Sequence, residues 1–171
     1  MINSDHKLFA LILASLSVLI WSVDASAAEG ADPTATARKI NSTYSGIWYD
    51  PSRDGEGFTL VISDTTAGPT AVVSYYTYDN QKQSVFLVGS ESIAAGATSV
   101  SIPVVITSGA NFGDGFKPAD VIRTPAGTLT FRFTSCNIGT VDYDLDPLGN
   151  GRLSIVRLAG VESLDCIDNS Q

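Results

Sequence analysis

"SGIWYDPSRDGEGFTLVI", residues 45–62, holds two short runs separated by turn residues. In GFTLVIS, Phe58, Leu60 and Ile62 fall on one side and Thr59, Val61 and Ser63 on the other. That period of two marks a strand with one buried face. Before it, Pro51 fixes one φ, and Gly55 and Gly57 permit positive φ, so the stretch from Pro51 to Gly57 is a connection. GIWY is then a short strand, with Ile47 and Tyr49 on one face and Trp48 on the other. Trp48 is expected to plug one end of the core. Strand, loop and strand account for the whole stretch. The alternative is a site, because the loop also carries Asp50, Arg53, Asp54 and Glu56.

The alternation continues outward from this stretch. AVVSYYTYD and QSVFLVGS are β-branched and aromatic, joined by Asp79-Asn80-Gln81-Lys82. Val100, Ile102, Val104 and Ile106 share a face, and Pro103 predicts an edge or a bulge. Leu129, Phe131 and Phe133 oppose Thr128, Thr130, Arg132 and Thr134, and RLSIVRL closes the run. Turn residues sit between these segments, at Ala67-Gly68-Pro69, 109–115, Pro125-Ala126-Gly127 and 148–151. No segment after the leader has a convincing helical period. Eight or nine short strands with tight turns predict an all-β antiparallel meander over 45–171. Closing it into a barrel, or folding it as a sandwich, removes exposed edges, and the closed barrel is favoured over the sandwich.

The amino terminus differs from the rest. A polar start with Lys7, the apolar run LFALILASLSVLIW and the small residues Ala25–Ala28 describe a secretory signal peptide over 1–27. The run is short of the ~20 residues of a spanning helix. Residues 28–44 have little apolar content and no period, and are expected to form a mobile lead-in. The chain has 18 acidic and 10 basic side chains; the leader holds Asp5, Asp24 and Lys7, which leaves 16 and 9. An acidic surface argues against nucleic acid and against an anionic membrane face. The single histidine, His6, is in the leader, so the exported chain lacks Ser-His-Asp, Cys-His and His–zinc chemistry. Cys136 and Cys166, the only cysteines, are expected to form a disulfide worth ~3–4 kcal/mol for a loop of about thirty residues. The localisation expected is periplasmic or extracellular, with no membrane insertion after signal cleavage.

The run Gly46-x-Trp48-Tyr49-x-Pro51, then Gly55-x-Gly57-Phe58, then the aromatic strand VVSYYTYD, resembles a family of uncharacterised exported bacterial β-domains. Gly127-x-Leu129-x-Phe131-x-Phe133-x-x-Cys136 and Arg157-Leu158 continue the likeness. The chain departs from the pattern at Phe86, where Trp is usual, which costs a candidate stacking ring. The resemblance brings no activity, cofactor or catalytic residue. The Gly-x-Trp start is also similar to the way lipocalins and avidins begin their barrels.

Three chemistries compete. Tyr76 and Tyr78 share one strand face, Tyr75 points away, and Trp48 and Tyr49 add rings. Flat rings with polar edges suit a carbohydrate or a peptide. This predicts a ligand-binding face of Trp48, Tyr49, Tyr76 and Tyr78 with Arg53, Asp54 and Glu56 at its rim. Asp50, Asp54 and Glu56 offer the carboxylate pair of a glycosidase-like hydrolase, which needs ~5 Å or ~6.5–9.5 Å between the two groups. Asp142, Asp144 and Asp146 match the first ligand positions of a calcium loop, but Pro147 and Leu153 occupy the places of its Gly and Glu. Strand alternation explains these three as solvent-facing carboxylates offset by Arg132, Arg152 or Arg157. The reading is an exported non-catalytic binding domain for a glycan, peptide or protein partner, without a cofactor. The alternatives are the hydrolase and a structural or inhibitory module acting through its loops, chiefly 109–118.

Overall fold

A computed structural model describes residues 36–166. The expected signal peptide (1–27) and the first part of the lead-in (28–35) lie outside the described residues. The described chain forms eight strands: β1 (Gly46–Tyr49), β2 (Gly57–Thr65), β3 (Gly68–Tyr78), β4 (Ser84–Ser92), β5 (Val100–Ser108), β6 (Ile122–Phe133), β7 (Ile138–Leu145) and β8 (Gly149–Gly160). Each pairs antiparallel with the next, and β1 pairs with β8, so the meander closes as a barrel in chain order.

Alternation decides what fills it. Phe58, Leu60 and Ile62 of β2, Ala71, Val73 and Tyr75 of β3, and Leu129, Phe131 and Phe133 of β6 are all buried. The rings form a column along the interior. Tyr44 stacks on Phe133 at 4.3 Å, Phe133 neighbours Phe131 at 6.4 Å, Phe131 meets Phe58 edge-on at 5.4 Å, and Phe58 stacks on Tyr75 at 4.2 Å. The interior is a packed core from end to end, as small barrels require.

One end is closed by the lead-in, where the structure differs from the expectation of mobility. Arg38 N donates to Phe133 O and Ile40 N to Ala97 O, each at 2.8 Å. Ser42–Tyr44 makes one 3-10 turn, capped by the Asn41 side chain. Ile40 and Tyr44 are buried. Two apolar anchors suffice to pin a polar segment, and two anchors leave no period to detect. Trp48 lies beneath them, 0% exposed, and donates from Nε1 to Tyr44 O at 3.0 Å. The Arg157 guanidinium sits 4.8 Å over the Trp48 ring and donates to Thr43 O at 2.8 Å. Cys136 and Cys166 are bonded, tying the last described residue to the β6–β7 turn.

Two irregularities shape the wall. Between Val104 and Val105 the β5–β6 register shifts, and Gly127 at the shift has φ +115°. A Cβ there would stand 2.0 Å from Asp144 O, so only glycine fits. The β4–β5 ladder has three pairs, Leu87–Gly89 against Val104–Ile106, and stops at Pro103, which has no amide to continue it. The other end of the barrel collects the connections 50–56, 79–83, 109–121 and 146–148.

Candidate functional site

The second end is built differently from the first. Glu56 closes the β1–β2 loop and turns into the barrel mouth, its side chain 9% exposed. Its Oε2 accepts hydrogen bonds from Thr77 Oγ1 at 2.6 Å and from Tyr75 Oη at 3.1 Å. Its Oε1 lies 2.5 Å from Arg53 Nε in an ion pair that lacks hydrogen-bond geometry. Alternation places Tyr75 and Thr77 inward at the end of β3, where two buried hydroxyls need an acceptor. Burial pushes the Tyr75 hydroxyl from 10.0 up to about 12, with the Thr77 bond opposing and Glu56 adding to the rise. Burial works against the charge on Arg53, but Glu56 and the Tyr143 side chain more than offset it and raise its pKa.

Outside the wall lies a second feature, a strip of exposed rings. Gly57 pairs with Tyr76, and Tyr76 with Phe86, so the three form one outward row. The Tyr76 and Phe86 rings are 5.0 Å apart. Gly57 leaves room at the centre: a Cβ there would lie 2.9 Å from Trp48 O and 3.4 Å from Tyr49 Cβ. Tyr49, half-buried, therefore flanks Gly57 on one side and Tyr76 on the other. Tyr78 stands one pleat further towards the loops, its hydroxyl 3.9 Å from where a Gly55 Cβ would sit. Tyr76, Tyr78 and Phe86 are 53%, 55% and 39% exposed.

The predicted residues thus divide. Tyr49, Tyr76 and Tyr78 come together outside. Arg53 and Glu56 come together at the mouth. Asp54 is exposed in the loop. Two expectations are corrected. Trp48 belongs to the core and not to a binding face, because β1 turns it inward under Tyr44. Glu56 is not a rim residue, because its carboxylate satisfies Tyr75 and Thr77. Tyr75, Thr77 and Tyr143 were not singled out by the sequence as site residues, although it set Tyr75 on the face opposite Tyr76 and Tyr78. Phe86 does not cost the chain a ring: it is itself part of the strip.

The weaker calcium reading of Asp142, Asp144 and Asp146 draws no support, and the reading in which arginines on neighbouring strands offset these carboxylates holds for Asp142. Among the described residues no group of three or more His, Cys, Asp or Glu is placed to hold a metal. Asp142 is occupied by Arg132 and Arg152, its Oδ1 lying 2.5 Å from Arg152 Nε. The Arg152 hydrogen bond, helped by that from Arg132 and by the charges of both guanidinium groups, holds the Asp142 carboxyl below the usual range although burial opposes it. Asp144 and Asp146 stay exposed. No family model, curated protein or solved structure matches the chain.

Proposed function

We propose that the protein is an exported, non-catalytic binding domain that holds a peptide or glycan chain against the exterior strip of Tyr49, Tyr76, Tyr78 and Phe86. One observation carries the reading: three large rings, each more than a third exposed, are fixed side by side on paired strands. Rings cost little conformational entropy when a ligand covers them, and each offers an apolar face with, for tyrosine, a polar edge. Arg53 and Asp54 border the strip from the loop. The leader and the disulfide support export to the periplasm or beyond, since disulfides persist in oxidising compartments. The likeness to exported bacterial β-domains supports the same placement.

The hydrolase reading draws less support from the geometry. Glu56 is held by three partners, and Asp50 Oδ1 accepts from Ser52 N at 2.9 Å and Ser52 Oγ at 2.6 Å in a local turn. Of the three carboxylates only Asp54 is exposed, so it lacks a second one presented beside it. A loop-acting module keeps one observation in its favour: Phe112, on the 109–121 connection, is fully exposed and Phe116 is 53% exposed.

Glycan and peptide arrays probed with the processed protein test the reading. Saturable hits weakened at least about tenfold by Tyr78→Ala support it. Hits that survive Tyr78→Ala and disappear with Phe112→Ala move the activity to the loop. Turnover lost in Glu56→Gln would restore the hydrolase.

A further inference from the structure

The strip of rings borders the one seam of the barrel that is left largely unpaired. The β2–β3, β3–β4 and β5–β6 ladders each carry nine residue pairs. β1, four residues long, pairs with β8 at all four. β4 and β5 are nine residues each and share three pairs, Leu87–Gly89 against Val104–Ile106. At the loop end Ser84–Phe86 of β4 and Thr107–Ser108 of β5 therefore have no partner across the seam. Both segments stay paired on their other sides, Ser84–Phe86 with Tyr76–Tyr78 and Thr107–Ser108 with Ile122–Arg123, so both keep strand geometry. Among the described residues no loop backbone group bonds to them. Ser84, Phe86, Thr107 and Ser108 are exposed.

The chemistry of this edge selects its occupant. Half of the N–H and C=O groups of a strand point to each neighbour, so Ser84–Phe86 presents donors and acceptors in a row on the side away from β3. The backbone of another strand matches that row, whereas a sugar chain has no such alternation. The rings extend the match. Tyr49, Gly57, Tyr76 and Phe86 lie in one row across β1 to β4. A strand added to β4 continues that row, with its outward side chains ~4.8 Å beyond Phe86, where apolar groups cover the ring. Charge narrows the choice further. With the paired Arg53 and Glu56 set aside, the four connections around this end carry six aspartates against two lysines, Lys82 and Lys117. An acidic segment is repelled there and a basic one attracted.

The geometry points to an extended basic peptide that binds by strand addition. Its backbone pairs with Ser84–Phe86, its outward side chains are apolar and cover Phe86, and its basic ends reach the aspartates of the loops. The inference rests on the binding reading of the strip and names the ligand. Three residues of edge offer ~10 Å, so the backbone bonds are few and the rings and charges add to them.

The probe is a synthetic peptide with a central Val-Ser-Val-Ser-Val, lysine pairs at both ends and blocked termini, titrated into the processed full chain. Saturable binding is expected at concentrations up to about 1 mM, weakened at least about tenfold when glutamates replace the lysines. N-methylation of the valine amides in one peptide, and of the serine amides in another, should cost at least one of the two about tenfold or more. At saturation at least one freely exchanging amide of Ser84–Phe86 should slow about tenfold, while β7–β8 amides keep their rates. Binding that tolerates methylation of either set, with exchange at Ser84–Phe86 unchanged, overturns the inference. No binding of the peptide at about 1 mM, beside an array glycan whose binding is lost in Tyr78→Ala, also overturns it and leaves the strip reading standing. Protection of Ser84–Phe86 that persists in Tyr76→Ala/Tyr78→Ala supports the edge and removes the rings from the site.

Discussion

The two ends of the barrel solve one problem with different chemistry. At the lead-in end, Tyr44, Trp48 and Phe133 stack together and Arg157 lies over the indole. Its guanidinium is spent on ring faces and one carbonyl, and burial lowers its pKa from the ordinary value. At the loop end, Arg53 pairs with Glu56, whose other oxygen holds Tyr75 and Thr77. The first end is closed by the lead-in and stapled by the disulfide, and Arg38, Lys39, Asn41 and Asp165 line an open depression of about 460 Å³ beside it. The second ends in polar groups, is bordered by four loops and adjoins the exposed rings. The aromatic column joins the two, so both ends are anchored to one core. The difference is one of construction: packed rings, the lead-in and the disulfide close the first end, and the loop end carries the exposed rings of the proposed site.

Substitutions sharpen that contrast. Trp48→Ala removes a fully buried ring, its bond to Tyr44 O and the face under Arg157. It is expected to cost ~3–5 kcal/mol in chemical denaturation. Affinity of the molecules that remain folded should not change; a specific loss of affinity would erase the division between the ends. Glu56→Ala strands two buried hydroxyls and a guanidinium, and should cost ~2–4 kcal/mol. Glu56→Gln, which keeps an acceptor, should recover part of that loss. Equal costs for the two variants would show that the hydrogen bonds to Tyr75 and Thr77 contribute little.

Alkaline unfolding gives the next effect. The Tyr75 hydroxyl titrates near 10.0 when unfolded and near 12 when folded. Below the lower value both states hold the proton, and the stabilisation is fully present. As pH rises through that interval the unfolded state releases its proton first, so stability falls by roughly 2–3 kcal/mol and levels off above the folded value. Tyr75→Phe should flatten this segment of the pH profile; an unchanged profile would place the alkaline loss elsewhere. The smallest stability effect belongs to the strip itself. Tyr78→Ala should change the unfolding free energy by less than about 1 kcal/mol, because the ring is more than half exposed.

The architecture was legible because one rule governs nearly every position. A closed β wall has an inside and an outside, and Phe58, Leu60 and Ile62 against Thr59, Val61 and Ser63 state that rule in six residues. The same rule placed Tyr76 and Tyr78 together and Tyr75 opposite. It was less informative where strands end. Trp48 alternates correctly with Ile47 and Tyr49, yet alternation names two faces without saying which is the core. Glu56 and Asp54 are equivalent in a loop sequence; only the inward hydroxyls of Tyr75 and Thr77, more than eighteen residues away, separate them. Ile40 and Tyr44 were hidden because closing an end takes two anchors and no repeat.

The central claim is that the exterior rings at the loop end bind a ligand. The direct measurement is equilibrium binding of the strongest array hit to the unaltered protein and to the Tyr76→Ala/Tyr78→Ala variant, with both checked for cooperative unfolding. The account predicts saturable binding that falls at least about tenfold in the variant at nearly unchanged stability. Equal affinity in two equally folded proteins would contradict it.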